Sequence, residues 1–363
     1  MRRTLANRLL LSSLRVLQRR SLVPVTARLR DPTGIIVRPA PGPAQLLFSM
    51  PAIRALAAAH STAAVVLVLS REARELPFSL PDRCDAIGID FARFRPTGRM
   101  HRRSRSVLRQ YSADLFVDFE ASRDVSVMAA WAADAPVRAT FDRPGLFPFF
   151  NCVVAVDQTR CRDDVERYLR LVAGLGVPTE DRSLEIDLKA AEIAKARVFL
   201  RLAGLKESEI PVVVDLPLGR DQTPFGRDLL LALLLEIDRR VSGVRFLLTR
   251  DPGLEVLVQM RQAASQEPLV VAERGLRGLS ALLANCALLI AGQSDLVAVA
   301  CALDLPLLLL RGSRERELLK PPSEAAVSTV IVPGRREKSW PHAPGDAAVK
   351  LLSLRARAGA RAW

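Results

Sequence analysis

From about residue 35 onward, short apolar runs alternate with segments whose apolar residues recur at helical spacing. Residues 35–37, 63–69, 115–118 and 137–140 read as strands, and the mostly unbroken apolar character of the first three suits strands covered on both faces. Residues 46–59 and 126–133 read as helices, and 163–175 as an amphipathic helix closed by Gly176 and Pro178. The alternation then restarts: helix 190–203, strand 211–215, a polar turn over 216–225, helix 227–240, strand 244–249, helix 254–264, strand 269–272 and helix 279–285. It ends on strand 287–290, a Gly-containing turn, a small-residue helix and a second apolar strand at 307–310. Strands separated by helices predict an α/β protein with parallel, doubly wound sheets. The joint near 178–188 predicts two domains, 33–180 and 181–345, with a ligand cleft between them. A basic extension, 1–32, precedes them, and a helix or tail, 346–363, follows.

The turn at Gly292-Gln293-Ser294-Asp295 carries the first candidate chemistry. A strand–turn–helix of this kind presents free backbone N–H groups and the positive end of a helix, which suits phosphate. Asp295 complicates this, because a carboxylate at a helix start occupies the same field; Ser294 and Asp295 also read as an ordinary N-cap.

Charge narrows the partners. The 363 residues carry a net charge of +14. Residues 1–30 hold eight arginines and no acid, and a second cluster comprises Arg93, Arg95, Arg99, Arg102, Arg103, Arg105 and Arg109. Such stripes suit phospholipid headgroups, phosphorylated glycolipids or nucleic acid, or serve as a solvated face. Nucleic acid is disfavoured, since Phe94 alone interleaves the second cluster where base stacking wants several aromatics. In the extension, Leu10, Leu14 and Leu17 oppose Arg8, Arg15 and Arg19, the pattern of a basic helix lying on an anionic membrane; a transit peptide or an idle tail fits the same residues. No apolar run reaches the roughly 20 residues needed to span a bilayer. Five scattered cysteines without a C-x-x-C pair argue against a disulfide framework or zinc site and favour a reducing cytosol. The three widely spaced histidines give no metal site or Ser-His-Asp triad.

Four segments together resemble the family 9 glycosyltransferases, the group of the ADP-heptose:lipopolysaccharide heptosyltransferases. Ile36-Val37-Arg38, a loop and Ser49-Met50-Pro51-Ala52-Ile53-Arg54-Ala55-Leu56 are similar to the family's opening strand, loop and PALRAL helix. Asp114-Leu115-Phe116-Val117-Asp118-Phe119-Glu120 resembles its second motif, and Ala135-Pro136-Val137-Arg138 with Asp164-Val165-Glu166-Arg167-Tyr168-Leu169 its third. The donor loop at 287–312 is the fourth. The resemblance implies a GT-B fold, with two Rossmann-like domains facing across a cleft. It implies an inverting transfer of a sugar from a nucleotide-sugar, most plausibly an ADP-sugar, to an anionic glycolipid at the inner face of the cytoplasmic membrane. No cofactor is implied.

The sequence departs from the family where chemistry is done. Counted back from Pro51, Gln45 stands at the position of the family's base Asp, whereas counting forward from Arg38 points to Ala44; neither an amide nor a methyl can take up a proton at neutral pH. Asp118 and Glu120 are the substitute carboxylates, with a strand-end turn as their structural alternative. Near the donor, the family's phosphate Lys is missing, which leaves Arg220; Gln293, Asp295 and Ala298 replace the family's Asp, Gly and His, and Ser294 is retained. Arg220, Glu255, Gly292, Gln293, Ser294, Asp295, Arg311 and Arg314 are the expected donor residues, with Lys320 assisting. Arg38, Arg95, Arg99, Arg102 and Arg103 are the expected acceptor residues. Two functions follow: an active glycosyltransferase of heptosyltransferase type, or a catalytically silent GT-B relative that binds glycan, nucleotide or a partner enzyme at the membrane.

Overall fold

The computed structural model describes residues 25–70, 73–89, 99–120, 123–157, 160–216, 227–250, 254–271, 275–312, 320–322, 326–332 and 342–359. The described residues form two compact units that part between Ser183 and Leu184, with the segment Glu75–Phe78 grouped with the second.

In the first unit, strands β1 (Gly34–Arg38), β2 (Ala64–Leu69), β3 (Cys84–Gly88), β4 (Leu115–Asp118), β5 (Val137–Phe141) and β6 (Cys152–Val154) form one sheet in the order β3-β2-β1-β4-β5-β6. Every pairing is parallel. All residues of β1, β4 and β5 are buried, as their position between two helical layers requires. Helices α1 (Val25–Arg30), α2 (Pro43–Ala59), α3 (Arg99–Arg109), α4 (Arg123–Ala133) and α5 (Asp164–Gly174) complete the unit. α2 starts three residues earlier than its apolar spacing suggests. Gly42, at φ 101°, turns the chain, and Pro43 at the first helical position has its φ preset. α5 is capped by the Asp163 side chain, which accepts from the Glu166 backbone N–H at 2.8 Å.

The pattern along the chain reveals the central strands and misses most edge strands. β3 buries only Cys84, and β6 has no fully buried residue, so neither shows an apolar run. α3 reads as a charge cluster because it puts little apolar surface inward, Leu108 being its buried residue. Part of the basic extension is built in: Arg28 of α1 pairs with Asp114, which also accepts from the Thr33 backbone N–H at 2.9 Å.

In the second unit, β7 (Ile210–Asp215), β8 (Val244–Leu248), β9 (Leu269–Val270), β10 (Leu288–Ala291), β11 (Leu307–Gly312) and β12 (Val327–Val332) run in the order β12-β11-β10-β7-β8-β9, again all parallel. Counted from its own first strand this is the 3-2-1-4-5-6 order of the first unit, the doubly wound dinucleotide-fold topology. Its helices are α6 (Ala190–Leu202), α7 (Arg227–Arg240), α8 (Leu254–Ala263), α9 (Leu276–Leu283), α10 (Leu296–Ala302) and α11 (His342–Gly359). α11 contributes Ala348, Leu351 and Leu352 to a core shared with Leu233, Leu234, Phe246 and Leu308, so the C-terminal helix is built into this unit. Among the described residues no helix is long and apolar enough to cross a membrane, and no cluster of His, Cys, Asp or Glu could hold a metal ion.

Candidate functional site

A doubly wound sheet binds ligands at the carboxyl ends of its strands, where the strand order reverses. In the first unit that point lies between β1 and β4, whose last residues, Arg38 and Asp118, are register partners. Arg38 Nη2 donates to Asp118 Oδ2 at 2.7 Å and to Ser126 Oγ at 3.0 Å, and Nη1 pairs with Glu120. Asp118 Oδ1 accepts from the Glu120 backbone N–H at 2.9 Å, folding the chain back over the strand end. All three charged residues are buried, Asp118 completely. Burial pushes the Asp118 carboxyl up, against the opposing pull of Arg38. The turn and ion-pair role therefore accounts for Asp118, and Arg38, expected to meet an anionic ligand, already faces two carboxylates. Beside this cluster lies a cavity of about 140 Å³, lined by Arg38, Glu120 and an apolar wall that includes Val68, Leu69, Ile89 and Val125.

Gln45, on the first turns of α2, stands against α5. Its Oε1 accepts from the Tyr168 hydroxyl and from Arg167 Nη2 at 3.3 Å, and Arg167 Nη2 also donates to Tyr168 Oη at 2.7 Å. The guanidinium lies 4.7 Å from the Tyr168 ring centroid and 5.9 Å from that of Phe141. Burial holds the Tyr168 hydroxyl up at about 12, against the pull of Arg167, so it stays a donor at neutral pH. The amide oxygen thus serves as a structural acceptor between two helices. The pattern along the chain does not pick out Tyr168 and Arg167 as partners of Gln45, because the contact is made across more than 120 residues.

The predicted arginine stripe divides. α3 follows β3 and leads into β4, so it runs opposite to the strands. Near its end Arg105 and Arg109 pair with Asp134, at 3.3 Å and 3.0 Å, and Arg105 stacks 4.9 Å from the Trp131 centroid. Asp134 precedes β5, so these two arginines lie toward the edge of the sheet opposite Arg38. Arg99, Arg102 and Arg103 occupy the earlier turns, and Arg103 is exposed. Arg95 lies outside the described residues.

In the second unit the equivalent reversal lies between β7 and β10, with Asp215 and Ala291 in register. Asp215 is 4% exposed and collects three side-chain donors from two segments. Its Oδ1 accepts from Thr249 Oγ1 at 2.5 Å and Arg250 Nε at 3.2 Å, and its Oδ2 from the Ser294 hydroxyl. Ser294 Oγ in turn accepts from the Leu296 N–H at 3.1 Å, so Ser294 caps α10. Asp295 occupies the formal cap position but makes no side-chain cap bond and is exposed. Gly292 is buried, Gln293 is half-buried, and Arg311, the next-to-last residue of the neighbouring strand β11, is half-buried. Glu255 lies on α8; Arg220 and Arg314 lie outside the described residues. Asp215 escapes a reading of the sequence because a strand-final Asp looks like an ordinary turn residue; the recurrence of Val-Asp at the ends of β4 and β7 is the signal that was there.

No family model and no curated protein matches the chain. Solved structures do. A family 9 glycosyl transferase from Veillonella parvula superposes with a TM-score of 0.72 at 17% identity, over 90% of this chain and 98% of the other. The E. coli ADP-heptose lipopolysaccharide heptosyltransferase II gives 0.68 at 17% identity, over 89% and 99%. E. coli heptosyltransferase WaaC with ADP gives 0.60 at 17% identity, over 89% and 98%. These similarities establish the class: a GT-B glycosyltransferase fold of two doubly wound parallel-sheet units. A family 9 glycosyl transferase and two heptosyltransferases are thus among the structures whose fold this chain shares.

Proposed function

We propose that the chain is a glycosyltransferase-type protein that binds a nucleotide-sugar through its second unit and an anionic glycolipid acceptor through its first. The observation that carries this reading is the likeness to heptosyltransferases over about nine-tenths of the chain, one of them holding ADP. An ADP-sugar of heptose type is the leading donor and lipopolysaccharide the leading acceptor. The preorganised turn at Gly292–Asp295 and Arg311 form the donor rim, while Arg99, Arg102 and Arg103 of α3 meet acceptor anions at the inner membrane face. Of the two substitute carboxylates, Glu120 lines a cavity, and it is the group assigned to accept the proton of the attacking hydroxyl. Positive groups at the donor rim then stabilise charge developing on the departing diphosphate.

Gln45 favours a second reading, a silent relative that binds without turnover. The resemblance puts its amide at the position of the family's base, and its oxygen is already occupied by Tyr168 and Arg167. Calorimetry of the whole chain with ADP-, UDP- and GDP-sugars, followed by assays for hydrolysis and transfer, separates the two. Micromolar binding with turnover that is lost in Glu120→Gln supports the transferase. Binding without turnover supports the silent relative; absence of nucleotide binding overturns the transferase, and overturns the silent relative too if the chain is not retained on anionic liposomes.

A further inference from the structure

The cavity at the β1–β4 reversal has the wrong electrostatics for an anion. Among the described residues that line it the one cation is Arg38, and both neighbouring carboxylates, Asp118 and Glu120, contact that guanidinium. Whether Asp118 is ionised or protonated, these three groups sum to −1 or zero, and Arg143, whose charge also acts on Asp118, is not among the described lining residues. An entering carboxylate or phosphate would lose water and meet Glu120 as a like charge. Apart from Ser70, the remaining described walls are apolar: Val68, Leu69, Ile89 and Val125, with Ala40 and Ala73 among them. At about 140 Å³ the space matches cavities that hold one benzene ring. We infer that this cavity takes an uncharged, apolar group of the acceptor, of about the size of one ring or a short alkyl segment. This deepens the transferase reading and rests on it: the acceptor is an amphiphile whose anionic part lies elsewhere, and whose apolar part is seated beside Glu120.

The test uses the full chain with 13C-labelled Ile, Leu and Val methyl groups, without nucleotide, titrated separately with benzyl alcohol and benzoate. The two probes share a ring and differ in charge. Benzyl alcohol is expected to shift the methyl signals of Val68, Leu69, Ile89 and Val125, with benzoate binding at least tenfold more weakly. No shift at these methyls with the alcohol, or benzoate binding as tightly, overturns the inference. Glu120→Gln removes one negative charge from the floor and is expected to narrow the tenfold gap; an unchanged gap in the folded variant also overturns it. Benzylamine, a cation at neutral pH, gives the same information without a substitution: it must bind more tightly than benzoate. Nucleotide-sugar calorimetry on the same sample tests the transferase reading independently. An empty cavity with intact nucleotide binding sinks this inference alone, and loss of nucleotide binding sinks the reading beneath it.

Discussion

Replacing Arg38 with methionine removes the guanidinium that Asp118 and Glu120 share, and its cost can be worked out from the structure. The substitution keeps most of the side-chain volume and deletes the charge, so packing contributes little and electrostatics dominates. Asp118 is completely buried and Glu120 nearly so, and stranding a buried charge costs about 3–5 kcal/mol. Protonation sets a ceiling on that loss. From an ordinary value of 3.8, neutralising one aspartate at pH 7 costs about 4 kcal/mol, and at pH 5 about 2 kcal/mol, at roughly 1.4 kcal/mol per pH unit. Asp118 alone is therefore expected to cost the variant about 4 kcal/mol at pH 7 and about half that at pH 5, with the cost of stranding Glu120 added to it. The sign follows from linkage. Without Arg38 the folded Asp118 holds its proton to higher pH than the unfolded chain does, so the stability this confers is present in acid and is lost as pH rises.

Urea denaturation at the two pH values measures this, provided the signal reports the first unit. Trp131 on α4 serves as the probe once Trp340 and Trp363, the other two tryptophans, are replaced by phenylalanine. A loss below about 1 kcal/mol at pH 7, or one of equal size at both pH values, would show that the cluster is not held as a buried ion pair, and the argument for the cavity's charge would fall with it.

Other perturbations probe other parts of the two networks. Ser294→Ala deprives Asp215 of one donor and the Leu296 N–H of its acceptor, and is expected to cost the second unit about 1–3 kcal/mol in urea denaturation while weakening any nucleotide that binds the donor rim. In Glu166, burial raises the carboxyl, but the Arg162 backbone N–H and the Arg170 and Arg162 side chains outweigh it and hold the group down at about 2. Its stabilising contribution is present above its ordinary range and lost as pH falls toward 2, so Glu166→Gln should cost about 1 kcal/mol or less at pH 7 and nothing near pH 2. Burial raises the thiols of Cys84 to about 11 and Cys301 to about 12, and pushes Cys286 up as well. These three should react with a thiol reagent only as fast as the protein opens; rapid native-state labelling of Cys286 would contradict the packing around β10.

Much of the architecture is legible along the chain because the central strands of a doubly wound sheet are apolar on both faces. β1, β2, β4, β7, β10 and β11 all stand out on that ground, as do helices such as α5 and α7. Among the edge strands β9 is read from the sequence, but β3, β6 and β12 do not stand out, since an edge strand such as β6 has few buried residues and its pattern dissolves into its loops. The candidate site was legible in residue type and not in partnership. Arg38, Asp118 and Glu120 were each visible as charged residues near strand ends. Their mutual pairing depends on the β1–β4 register, which brings together residues 80 apart. Gln45 could be recognised as a replacement, yet its partners on α5 depend on how that helix packs against α2. Asp215 was invisible because the donors that give it meaning come from segments 34 and 79 residues away.

The two units solve the same topological problem in related ways, and the comparison bears on catalysis. Each places a buried carboxylate at the reversal of strand order, the position where this topology ordinarily opens to a ligand. In the first unit the carboxylate on the fourth strand is answered by an arginine on the first. In the second the carboxylate sits on the first strand and is answered by a threonine and an arginine beyond the second and a serine beyond the fourth. A buried polar group whose bonds are already made costs free energy to pull away, so such a group fixes the loops around it in place of engaging a ligand directly. Both networks hold neighbouring groups in position: Glu120 beside its cavity in one unit, the backbone of Gly292 and Gln293 in the other. On this reasoning, chemistry at either reversal belongs to what these satisfied centres position, and substitutions within them should change stability before they change ligand preference.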